Sequence, residues 1–206
     1  MGRRSVITFA TLGPSGTNHE LVTKRYIDFH RIGGARIVFV DDFAVAADDL
    51  LNGRIDYIIQ CAVHPDTPKT MGAHYKSMFV VDTFISPSKE LAVLTRKSVE
   101  TPTSIGLLRP ATESYADLSR WTHRFHENSI PFVFEKMLAG EYDSGLVYLE
   151  YASQHPDLFR IDEVIGSPDD AWIVYGRERT YRDRILAWPD SPVVEQFRRL
   201  EKRDAA

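Results

Sequence analysis

Apolar and polar positions along this chain follow two periods in turn. Val6 to Leu12 is an apolar run of buried-strand type, and from Asn18 to His30 the residues Val22, Tyr26 and Phe29 recur at helical spacing on one face. "ARIVFV" then predicts a second strand, "DFAVAADDLL" a helix presenting Phe43, Ala47, Leu50 and Leu51, and "IDYIIQCAV" a third strand. Strands alternating with amphipathic helices predict a mostly parallel sheet. "MFVVDTFIS" and "ELAVLTR" add two strands joined through Pro87. Near the C-terminus "VVEQFRRLEKR" reads as a helix whose Val194, Phe197 and Leu200 are spaced to pack on a lobe.

The rhythm restarts with "SIGLLRPATESYADLSRW", again strand, turn and helix. Leu12-Gly13-Pro14 is echoed by Leu108-Arg109-Pro110, and each is followed by a threonine placed to cap a helix, Thr17 and Thr112. Gly53 and Gly140 each precede an aspartate by three, Asp56 and Asp143, and each leads into a strand. These echoes predict an α/β protein of two similar lobes, the first from 1–95 plus 166–206 and the second from 96–165. The repeat is imperfect, because the stretch between "PFVFE" and Gly140 leaves room for barely one helical turn.

Composition narrows the function classes. The 206 residues are 43% hydrophobic, enough for one sizeable core or two small ones. With 25 basic against 29 acidic residues, and no Lys/Arg run, nucleic acid is not an expected partner. The single cysteine, Cys61, excludes an intramolecular disulfide and reads as a buried strand thiol. The N-terminal apolar run is too short to span a membrane and lacks a small-residue cleavage site, so a cytoplasmic protein with no membrane partner is expected.

Candidate chemistry concentrates in "LGPSGTNHE". Thr17 with Glu20 three residues on forms a capping box. A strand feeding a glycine-containing turn into a helix start also presents free N–H groups and the positive end of the helix dipole, which suits an anion. Ser15, Gly16, Thr17 and Asn18 are therefore candidate binding residues, and Arg109 with Thr112 would form a second anion site on the facing lobe. His19 and His64 are the candidate proton-handling groups, and Tyr148 is placed for a cleft wall. His123 and His126, i and i+3 on a predicted helix, lack a third ligand and read as a solvated face, so no metal and no cofactor are expected.

"TLGPSGTNHE" resembles the Gly-Pro-x-Gly-Thr signature at the start of prephenate dehydratases. "LLRPATESY" stands in the place of that family's second-lobe Ser-His-Pro motif, and "GEYDSGLVYLEYA" is similar to its late Asp-strand-helix segment. The departures point to a particular branch. Where dehydratases carry Pro-Ile-Glu-Asn-Ser, this chain has Cys61, Ala62, Val63, His64 and Pro65; where they carry Thr-Arg-Phe, it has "DDAWIVYGRE", and no C-terminal ACT domain is expected. Short prephenate decarboxylases of the bacilysin type are a closer resemblance, with Asp170, Ala171 and Trp172 fitting their Ser-Trp strand.

The resemblance implies a two-lobed, periplasmic-binding-protein-like (type II) fold with a ligand cleft between the lobes. It also implies a small dicarboxylate substrate such as prephenate, a homodimer, and a carbon–carbon lyase of amino-acid or secondary-metabolite biosynthesis that removes carbon dioxide without aromatising the ring. Trp172 joins the substrate-binding set on this ground. A non-catalytic cytoplasmic carboxylate-binding module and a prephenate dehydratase are the alternatives, because one architecture serves several functions.

Overall fold

The computed structural model describes residues 6–108, 112–181, 185–188 and 191–204. Two five-stranded sheets carry the fold. The first contains β1 (Thr8–Leu12), β2 (Arg36–Val40), β3 (Tyr57–Cys61), β4 (Phe79–Pro87) and β10 (Asp169–Gly176), in the order β2-β1-β3-β10-β4. The second contains β5 (Leu91–Arg96), β6 (Ser104–Leu108), β7 (His123–Glu127), β8 (Ser144–Tyr148) and β9 (Phe159–Gly166), in the order β7-β6-β8-β5-β9. In each sheet three strands run parallel and the fourth in the order is antiparallel to its neighbours.

Alternation of side chains across the first sheet fills both of its faces. Phe9, Ile59 and Trp172 pack with Val22 of α1 (Asn18–Phe29), while Ala10, Ile58 and Tyr175 pack with Phe43, Ala47 and Leu50 of α2 (Phe43–Leu51). In the second lobe Val133 and Met137 of α4 (Ile130–Leu138) pack directly over Gly106 of β6 and Gly145 of β8, while Ile105, Leu107 and Leu146 fill the opposite face of the same buried core. Cys61 is a buried free thiol, as its strand position predicts. Two short helices, α3 (Thr67–Ala73) and α5 (Glu150–Gln154), complete the lobes, and α6 (Pro192–Asp204) forms the tail.

Several sequence expectations are corrected. β5 pairs wholly within the second sheet, so the first crossing lies at Ser88–Glu90 and not near Thr95. The chain returns at Ser167–Pro168, between β9 and β10, and Ser88 N–H donates to the Pro168 carbonyl at 2.8 Å, so the two crossings are bonded together. The buried stripe of α1 is Val22, Thr23, Tyr26 and Ile27, whereas Phe29 is 82% exposed. Phe197 of α6 is 54% exposed and does not pack as expected; the side chain of Leu200 lies outside the described residues.

The second lobe departs most. No α-helix follows Thr112, only a 3-10 turn over Glu113–Tyr115. Burial of Leu118 and Trp121 decides the path: the Trp121 indole donates to Ser144 Oγ at 3.0 Å and pins the segment to the sheet. "PFVFE" is helix, begun by Ser129, whose hydroxyl accepts the Phe132 N–H, and by a proline in the first turn. The polar "HRFHE" is the strand, so His123 and His126 fall on opposite faces of β7 rather than on one helix face.

Candidate functional site

A cleft of about 420 Å³ opens between the two sheets. From the first lobe it takes residues at the C-terminal ends of β1 and β3, the start of α1 and Asp170 near the start of β10; from the second, Leu108, Thr112 and Tyr148; and from the crossings Ser88, Lys89 and Pro168. Ligands of open α/β sheets sit beyond the carboxyl ends of the strands for this reason.

Of the candidate residues, His19, His64, Thr17, Asn18, Thr112, Tyr148 and Trp172 line this cleft together. Ser15 and Gly16 do not. Ser15 Oγ and Gly16 N–H both donate to the Glu20 carboxylate, at 2.8 and 2.6 Å, and both residues are exposed. The capping box thus consumes the donors that were expected to meet an anion. Thr17 Oγ1 accepts the Glu20 N–H at 3.4 Å and completes the cap. Arg109 lies outside the described residues. Thr112 spends its hydroxyl on Leu108, accepting its N–H at 3.1 Å, and with no helix behind it the expected second helix-terminus site is not formed.

Asn18 is the hub. Its N–H donates to the Tyr148 hydroxyl at 3.0 Å across the cleft, its side-chain amide donates to Ser88 Oγ at 2.7 Å and Asp170 Oδ2 at 3.4 Å, and its Oδ1 accepts the Lys89 N–H at 3.2 Å. Ser88 Oγ also donates to Asp170. Lys89 Nζ lies 4.7 Å above the Tyr148 ring and 2.7 Å from Glu150. Ser88, Lys89 and Asp170 were not foreseen as site residues; the polar "SKE" between two apolar strands was the only signal for the first two, and Asp170 entered only as part of the segment matched to the Ser-Trp strand.

The opposite wall is aromatic. The His19 ring stands edge-on to Trp172 at 5.0 Å, with Phe43 at 5.8 Å and His64 at 6.0 Å. Burial, with His64 as a lesser cause, pushes His19 down to about 3, so it is a neutral imidazole at physiological pH. Burial also lowers His64, against the pull of Asp66 and Asp42. His64 Nδ1 accepts the Asp66 N–H at 3.2 Å, which leaves Nε2 as the protonated nitrogen of its neutral form. Burial raises Cys61 to about 11 and keeps it a thiol. Trp172 is 1% exposed, and among the described residues its indole N–H meets no acceptor.

Among the described residues no group of three metal-ligating side chains comes together, and no helix is long and apolar enough to cross a membrane. Two lobes, two adjacent crossings and a cleft between facing strand ends define the architecture.

The fold is periplasmic-binding-like. Among solved structures it is similar to a prephenate dehydratase from Arthrobacter aurescens in complex with L-Phe, with a TM-score of 0.61 and 15% identity over 87% of this chain and 63% of that one. The chain therefore spans less than two thirds of that dehydratase. It is similar also to the periplasmic VFT2 domain of Bordetella pertussis BvgS, with a TM-score of 0.52 and 13% identity over 83% and 80% of the two chains. The ligand-binding core of GluR0 in complex with L-glutamate gives a TM-score of 0.50 and 12% identity over 98% and 95%. At these identities the likeness is one of fold. No family model and no curated protein matches the sequence.

Proposed function

We propose that the cleft of this periplasmic-binding-like protein binds a small ring-bearing carboxylic acid of the prephenate type, and that the chain acts on it as a carbon–carbon lyase that leaves the ring non-aromatic. The observation that carries this reading is the wall formed by His19 against Trp172, an aromatic surface beside a polar hub. A carboxylate pressed against that wall loses its hydration, which favours departure as uncharged carbon dioxide. The bond between ring carbon and carboxylate breaks, its electron pair shifts into the ring diene, and a proton arrives at the far carbon of the displaced double bond while the ring hydroxyl stays in place.

His19, held neutral, supplies a hydrogen bond and not a cationic acid. His64, with 20% of its side chain exposed and its Nε2 carrying the proton, is suited to exchange the proton. Cytoplasmic location and a homodimer belong to the same proposal. Incubation of the purified protein with prephenate, followed by mass and ultraviolet spectra, tests it. Loss of 44 mass units, the carbon dioxide, with no aromatic absorption is the expected outcome. Phenylpyruvate would restore the dehydratase alternative. A second reading, a binding module without turnover, is favoured by Lys89, whose ammonium is already taken by Glu150; bound, unconverted prephenate would establish it.

A further inference from the structure

The charge of the described lining of the cleft favours a ligand that carries a positive group beside its carboxylate. That lining carries three carboxylates, Asp41, Asp66 and Asp170, against one ammonium, Lys89, and His19 is held neutral. A ligand bearing only negative charge enters such a cleft against its field, whereas one that also carries a positive nitrogen is drawn in.

Asp170 is the carboxylate best placed for that nitrogen. It stands near the start of β10, in the lining of the cleft, and Oδ2 accepts from Ser88 Oγ and from Asn18 Nδ2. Among the described residues no Lys, Arg or His nitrogen lies within 4.0 Å of it. Neutral donors fix its orientation, and among the described residues none compensates its charge. A carboxylate so held needs a cationic partner once a ligand closes the cleft and removes its water. Lys89 flanks Asn18 on the other side, through its N–H to Asn18 Oδ1, so an ammonium and a carboxylate border the same hub.

We infer that the ligand carries an ammonium group seated on Asp170, so that the cleft takes a ring-bearing α-amino acid in preference to the matching α-keto acid. The inference rests on the proposal that the cleft receives a ring-bearing carboxylate, and it makes the α-amino counterpart, rather than the α-keto acid prephenate itself, the preferred form of that ligand. The ligand carboxylate lies toward Lys89, whose ammonium it shares with the half-exposed Glu150, the ligand ammonium on Asp170, and the ring against His19 and Trp172. Asp170 is thereby a specificity-determining residue, and Ser88 and Asn18 position it.

Calorimetric titration with L-phenylalanine and phenylpyruvate, which share ring and carboxylate and differ at the α-carbon, tests this. The wild-type protein should bind the amino acid at least about tenfold more tightly, one hydrogen-bonded charge pair being sufficient for that ratio. Asp170→Asn should erase the preference by weakening the amino acid about tenfold and leaving phenylpyruvate unchanged or tighter. Equal or tighter binding of phenylpyruvate by the wild type overturns the inference, as does an Asp170→Asn variant that weakens both alike. Should the variant fail to fold, the two wild-type titrations decide by themselves. If phenylpyruvate and prephenate bind and the amino acid does not, only this inference falls; if none of the three binds, the cleft proposal falls with it.

Discussion

The backbone N–H of Asn18, first residue of α1, donates to the hydroxyl of Tyr148, last residue of β8, at 3.0 Å and so ties one lobe to the other across the cleft. Tyr148→Phe removes the acceptor and keeps the ring. The variant should lose about 1 kcal/mol of stability in urea unfolding, the usual cost of one such bond. Its radius of gyration by small-angle X-ray scattering should rise as the lobes separate. An unchanged radius would show that the crossings alone hold the lobes together.

Thr17 has a structural and a lining role, and substitution separates them. Thr17→Ala removes the hydroxyl that accepts the Glu20 N–H and should cost about 1 kcal/mol. Thr17→Ser keeps the cap and should restore stability to within a few tenths of that value. If Thr17→Ser also restores affinity for the cleft ligand, the hydroxyl and not the methyl group is what the ligand meets.

His19 makes stability depend on pH in a defined direction. Its value is pushed from 6.5 in the unfolded chain to about 3 in the folded one. Within that window the unfolded chain takes up a proton that the folded chain refuses, so stability declines as pH falls, by up to about 1.4 kcal/mol per pH unit. Above the upper value the group contributes nothing. His19→Gln should flatten the slope of urea midpoints measured from pH 6.5 to 5, and an unaltered slope would show that the fold does not hold the imidazole neutral. The interval stops above the range of Glu20, whose carboxyl is held down to about 2 by Lys24, Gly16 and Ser15 despite its partial burial.

Gly53 and Gly140 adopt φ of 71° and 81° just beyond α2 and α4, where an L side chain is strained. An added Cβ would also meet Arg177 Nη1 at 2.6 Å in the first case and Arg96 Nη1 at 2.9 Å in the second. Each Gly→Ala variant should therefore lose about 1 kcal/mol or more, and the double variant the sum, because the two sites lie in different lobes. Differential scanning calorimetry of the three variants checks both the size and the additivity.

Those two glycines show what recurrence in a sequence conveys. Asp143 carboxylate oxygens accept the Thr103 and Ser104 N–H groups at the start of β6 and pair with Arg96; Asp56 accepts the Thr8 N–H at the start of β1 and pairs with Arg177. The repeated Gly-x-x-Asp spacing is thus one local device used twice, a helix end and a strand clamp separated by three residues. Local geometry of this kind is written in adjacent residues, which is why the capping box, α1, α2 and the three parallel strands of the first lobe were also legible. What adjacent residues could not state was partnership. β5 takes in the second sheet the place that β10 takes in the first, and that exchange depends on pairing between segments far apart in the chain. The polar edge strand β7 and the helix over "PFVFE" were likewise set by which surfaces the neighbouring sheet could bury. The cleft follows the same division. The sequence by itself brought forward His19, His64, Asn18 and Trp172, whereas the tertiary structure turned Ser15 and Gly16 away onto Glu20 and brought Ser88, Lys89 and Asp170 to the hub. The physical reason is that hydrogen-bond donors go to the nearest satisfied geometry, and only the folded crossings determine which side chains are near.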